Sequence, residues 1–225
     1  MNYQRTPRKK LFFKTAYNKS IGIIKKYRDI GDFLKGNKYL IAISFMVFVE
    51  LILFYIVNGV PDDHYRIYLE NTKGKYQTDF TFIFFENMKS ALLQIGMGGV
   101  ILFCGNLLWT MMVVKAFIAT FKQLLYDFSF HTILFSILPH GVFEIFVMVF
   151  SFILANILSK EIVLSILQFI MKKDNALRGI PIVQFGIKRT IVMILFSIAF
   201  VIVPMLFLAA IVEVTISPLV LFILR

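Results

Sequence analysis

The chain of 225 residues is 59% hydrophobic and only 16% charged, with 26 phenylalanines. A soluble domain is nearer half apolar and a quarter charged, so this chain has too little polar surface for a soluble monomer. The net charge of +11 arises from 24 basic and 13 acidic residues, an imbalance that in so apolar a chain records membrane orientation rather than nucleic-acid binding. The single cysteine, Cys104, excludes an intrachain disulfide framework and a cysteine-based zinc site.

Residues 1–38 form a first unit. They hold 11 of the 24 basic residues and two acids, Asp29 and Asp32. Phe13, Tyr17, Ile24, Tyr27 and Leu34 recur at helical spacing, which predicts a basic amphipathic helix on a bilayer surface with anionic headgroups. Residues 39–225 form the second unit. Its first span is Tyr39–Asn58, whose 20 residues at ~1.5 Å each cover one bilayer core. The polar loop 59–79 carries three bases and four acids and lacks the positive bias of a cytoplasmic loop. The amino terminus is therefore expected inside and this loop outside.

From Phe80 to Leu158 the chain is mostly apolar, with breaks near Cys104–Asn106 and Lys122–His131. Residues 160–189 then carry six bases and two acids and read as cytoplasmic. An odd number of crossings must join the two sides, and spans at 82–104, 106–125 and 132–158 fit. Residues 162–171 are too short to cross and are expected at the inner interface. A last span at 190–213 exits to the outside, and Pro218 interrupts the apolar tail beyond it. The fold class expected is an all-α integral membrane bundle of five transmembrane helices, with the carboxyl terminus outside.

Charged groups inside spans are the informative exceptions, because each costs about 2.5–3.5 kcal/mol at mid-membrane on insertion scales. Glu50 and Lys115 fall near midplane and are candidates for pairing with each other. Glu86 and Lys89, three residues apart, can pair locally. His140 and Glu144 share a helix face after Pro139 and Gly141. Three readings stand for them: a hydrogen bond that fixes packing, a proton or ion path, or a metal site. One histidine and one carboxylate are too few for the last, so no metal or other cofactor is expected. Ala91, Gly98 and Gly105, spaced by seven, suggest one smooth face for close helix packing. No zincin motif, paired aspartates or serine dyad points to proteolysis.

Three stretches, in order, resemble the stage II sporulation protein M family. They are Phe85-Glu86-Asn87-Met88-Lys89-Ser90-Ala91-Leu92-Leu93, then Leu138-Pro139-His140-Gly141-Val142-Phe143-Glu144, then Ala209-Ala210-Ile211-Val212-Glu213 through Pro218. The similarity covers about residues 38–220. The resemblance implies a multi-pass bacterial membrane protein. It implies work with membrane partners, such as the anchoring of cell-wall hydrolases during engulfment. Other members stand beside transport genes or in gene clusters for circular bacteriocins, where maturation, export or immunity alongside an ABC-type transporter is the implied role. The family supplies no catalytic residue to carry over.

The expectation is therefore a non-enzymatic membrane protein that organises wall hydrolases or transporter subunits and binds no nucleic acid. Its polar network would comprise Glu86, Asn87, Pro139, His140, Gly141, Glu144, Glu213 and Pro218. An intramembrane enzyme using His140 and Glu144 is the third alternative.

Overall fold

The computed structural model describes residues 27–58, 80–127, 129–170 and 186–223, and every regular element among them is helical. Residues 27–36 form α1, and α2 follows at Lys38–Asn58. Then come α3 (Phe80–Val100), α4 (Leu102–Asp127) and α5 (Phe130–Ile170). The chain ends with α6 (Ile187–Ser197), a π-helical turn (Ile198–Ile202) and α7 (Val203–Ile223).

Four of these helical stretches are long and apolar enough to cross a bilayer: Lys38–Asn58, Leu102–Ala119, Leu138–Leu167 and Ile187–Ile216. The expected count of five is therefore corrected. The helix that falls short is α3, which has the length, 21 residues, but carries Glu86, Asn87, Lys89, Ser90 and Gln94. Its stability in the bundle rests on packing against α5, α7 and α4.

Helix α5 is the axis of the assembly. Leu154, Ala155 and Ile157 are fully buried on it. On one side Val147, Phe150, Ile153, Leu154 and Ile157 meet Phe33 of α1, Ala91 and Ile95 of α3, and Ile194, Ile202 and Leu206 of the last helices. On the other side Phe152 meets Phe48 of α2 and Val114 and Ile118 of α4. Lipid tails are as apolar as these side chains, so close packing and interhelical hydrogen bonds, not water exclusion, hold such contacts together.

Several expected boundaries move. The break between α3 and α4 lies at Ile101–Leu102, where Leu102 has φ 59°, and not at Cys104–Asn106. Gln94 and Thr110, equally far from that break, hydrogen-bond at 2.9 Å, so the two helices fold back on each other in a tight hairpin. Residues 162–170 do not form a separate interfacial piece but prolong α5, which reaches 41 residues with Pro139 inside it. Helix α7 runs through Pro218 to Ile223. The break expected there occurs instead before Pro204, as a π turn closed by the Val203 amide donating to the Ile198 carbonyl. Membrane helices tolerate proline where neighbouring groups satisfy the carbonyl it frees. Pro204 cannot bond the carbonyl four residues back, that of Phe200, and the Tyr27 hydroxyl donates to it at 3.1 Å.

The described part of the amino-terminal unit packs on protein. Ile30 and Phe33 are buried, and the rings of Tyr27 and Phe200 meet edge to face at 5.7 Å. Residues 1–26 and the loop 59–79, on which the surface helix and much of the topology reading rest, lie outside the described residues.

Candidate functional site

The three sequence motifs converge. Asn87 on α3 donates from Nδ2 to Glu144 Oε1 on α5 at 2.5 Å, across 57 residues of chain. Glu213 on α7 stands near enough to Glu144 for the two carboxylates to interact electrostatically. Helices α5 and α7 make the most extensive contact in the bundle, and α3 packs on both. Asn87 and Glu144 thus bond between α3 and α5, with Glu213 of α7 in the same three-helix cluster. His140, one turn before Glu144, is half-buried and has interactions of its own. Gly141 is buried. Pro139 lies within the continuous helix, and the backbone of α7 is helical at Pro218.

About 12 residues further along α5, or ~18 Å at helical rise, lies a second tier built from uncharged groups. Asn156 Nδ2 donates to Ser44 Oγ on α2 at 2.9 Å, and that hydroxyl donates to the Leu40 carbonyl at 2.7 Å. Asn106 Nδ2 on α4 donates to Asn156 Oδ1 at 2.7 Å and to the Phe152 carbonyl at 3.1 Å. Thr110 donates to the Asn106 carbonyl at 2.8 Å while accepting from Gln94. The chain of bonds ties α2, α3, α4 and α5 together. Ser44, Gln94, Asn106, Thr110 and Asn156 are all buried. In hydrocarbon such groups have no water to fall back on, which is why they find one another.

Close packing supports this tier. A Cβ on Gly98 would stand 2.7 Å from the Cβ and carbonyl oxygen of Ala155, so the α3–α5 contact requires glycine. Ser159 Oγ donates to the Gly98 carbonyl at 2.8 Å in the same contact. Ala91 is buried on α3 as expected. Gly105 departs from the expected stripe. It lies beyond the break, and a Cβ there would meet Ile101 Cβ at 2.5 Å, so it serves the hairpin turn.

A third cluster closes the far end. Lys160 Nζ is 2.9 Å from Glu161 Oε1 and donates to Asn37 Oδ1 at 2.6 Å. Glu161, fully buried, accepts the Gly186 amide on its other oxygen at 3.0 Å. Asn37 sits between α1 and α2 and donates to the Phe33 carbonyl at 2.9 Å. These bonds clamp the α1–α2 corner and the start of α6 to α5.

The other predicted charges behave differently. Glu86 and Lys89 pair at 3.7 Å, with both side chains more than half exposed. Glu50 is exposed and Lys115 half-buried, and among the described residues no ion pair joins them. Among the described residues no three His, Cys, Asp or Glu groups come together as a metal site. The neutral amides Gln94, Asn106 and Asn156 were not singled out from the sequence. The available signal was an amide inside an apolar run, where it must find a partner.

A helical bundle with long apolar spans and polar tiers sealed between its helices defines a multi-pass membrane protein. The model of the family described as stage II sporulation protein M matches residues 41–218. The chain belongs to that family. No curated protein and no solved structure matches the chain.

Proposed function

We propose that this protein is a non-enzymatic membrane scaffold that gathers partner proteins, wall-remodelling enzymes or subunits of an export system, at the bacterial cell membrane. The observation that carries the reading is the hydrogen-bond accounting. Asn87 is spent on Glu144, Gln94 on Thr110, and Asn106 on Asn156. These bonds hold the helices in register, with the Oδ1 of Asn106 buried and without a hydrogen-bond partner among the described residues. A rigid frame of this kind supports binding surfaces. Its broad apolar faces, such as Ile43, Phe45, Met46, Leu53 and Phe54 on α2, suit lipid or membrane partners. The amino terminus with its 11 basic residues lies on the cytoplasmic side in this reading, as the distribution of positive charge favours.

Co-purification from native membranes after mild cross-linking, with mass spectrometry of the captured proteins, tests the reading. Wall hydrolases or transporter subunits recovered in stoichiometric amounts are the expected result. A peptide precursor captured with an ATP-binding subunit would move the assignment to bacteriocin export. His140→Ala that retains abundance and partners but abolishes a cellular activity would replace the scaffold with an enzyme. The topology is checked separately with a membrane-impermeant thiol reagent on intact cells. It is expected to label Thr72→Cys, and protection of the exposed Cys104 in the same cells would show that α3 crosses as well.

A further inference from the structure

We propose that a second copy of this chain docks on the α2–α4 side of the bundle, about a two-fold axis along the membrane normal, with Glu50 of each copy paired to Lys115 of the other. Helix α2 and the Leu102–Ala119 stretch of α4 are both long and apolar enough to cross a bilayer. Each has one charged group in its interior. Glu50 is the thirteenth of the 21 residues of α2, and Lys115 is the only charge in the α4 stretch. Among the described residues neither belongs to an ion pair.

Glu50 interrupts an apolar stripe. Tyr39, Ile43, Met46, Glu50, Leu53 and Val57 recur at intervals of four and three residues, and all six are exposed. Such spacing makes the seam along which one helix packs lengthwise on another. Acyl chains cover the apolar members of the seam, but they offer nothing to a carboxylate midway along a crossing helix. On α4 the exposed row Cys104, Leu108 and Met112 runs up to the half-buried Lys115.

The two charges stand at one depth. Phe48 clusters with Val114 and Ile118. Glu50 is two residues past Phe48 and Lys115 one past Val114, so their levels differ by less than a helical turn of about 5.4 Å. Ser44 reaches Asn106 through Asn156, and Phe48, one turn on, meets residues further along α4. The two helices therefore run in the same direction. Inside one chain Phe48 fills the contact between them, and Glu50, about 200° round α2 from Phe48, faces away. Rotation about the membrane normal preserves both depth and helix direction. The operation that brings a second copy's Lys115 to Glu50 also brings its Glu50 to Lys115, which is the self-complementarity a two-fold contact demands.

The test uses the full chain in native membranes, with Cys104→Ser in every variant. Two differently tagged chains are co-expressed, one carrying Met46→Cys and the other Met112→Cys, which flank the two charges. Mild oxidation should give a covalent product bearing both tags, whereas Phe45→Cys, exposed on another side of α2, should give none with Met112→Cys. Glu50→Lys is then placed in the first chain and Lys115→Glu in the second. Each like-with-like dimer now opposes equal charges twice, and the mixed dimer closes both ion pairs. Mixed pairs captured by the tags should exceed either like-with-like pair by about tenfold, given the cost of opposed like charges at an interface. Random assortment of the tags with both chains at equal abundance would overturn the proposal. So would the absence of a Met46→Cys to Met112→Cys product, or cross-linking only to a protein of different mass. Should a charge variant fail to accumulate, the cysteine pair in the otherwise native chain decides alone.

Discussion

Helices α2 and α5 are both apolar enough to cross a bilayer, yet they live in opposite surroundings. In an apolar 18-residue stretch of α2, 11% of the residues are buried inside the protein; in a stretch of the same length within α5, 56% are. The buried residues of α2 are Ser44 and Phe48, and Ser44 is the one that bonds to α5. Along α5 the buried positions include Ser151, Asn156, Ser159 and Glu161. Hydropathy does not separate the two helices, because lipid and protein interior are equally oily. Small and polar residues mark which side of a membrane helix faces protein.

The sharpest way to break this comparison is to spoil the central helix from outside it. Gly98→Leu drives a side chain into the backbone of Ala155 and is expected to cost about 3 kcal/mol, the upper end of overpacking penalties. Membrane abundance and melting in detergent would report it, and a wild-type melt would mean that the helices part without penalty. Asn87→Leu removes the donor to Glu144 and should cost about 2 kcal/mol, in the range for a hydrogen bond to an ionisable group. The loss should be much smaller in a Glu144→Leu background, which a double-mutant cycle measures. Asn156→Leu severs Asn106 and Ser44 together and should cost about 1–2 kcal/mol, as interhelical hydrogen bonds do in model systems. Equal melting curves for this variant and the parent would remove the second tier as a source of stability.

Tyr27→Phe should cost about 1 kcal/mol in the parent and little in a Pro204→Ala chain. There the restored amide can satisfy the Phe200 carbonyl without help. Ile56→Ala on the exposed side of α2 sets the floor, with a change below about 0.5 kcal/mol. A larger loss would show that α2 is gripped by protein on that face too.

How much of this was legible in the residues differs between fold and site. Apolar runs announced a membrane bundle, because nothing else absorbs such surface. The family motifs pointed to Asn87 and Glu144, which hydrogen-bond across two helices. The pairing of Glu50 with Lys115 was not realised within the chain. Glu50 is exposed on α2 and Lys115 half-buried on α4, so a scan for charge located both groups without showing which faces they occupy. Neutral amides are cheaper to enclose and both donate and accept, so Gln94, Asn106 and Asn156 form the joints. The helix limits were obscured for a related reason. Proline and glycine are read as breaks from experience of water. Helix α5 passes through Pro139 and Gly141 uninterrupted, because unwinding inside lipid would strand backbone groups that a turn in water leaves hydrated.

The 41 residues of α5 make a rod of about 60 Å, while the oily layer it inhabits is about 30 Å thick. Tilt alone does not hide so much length. A helix of that length reaches past the oily layer at one end at least, and because the bundle grips its middle, whatever groups it carries there keep a fixed orientation to the lipid.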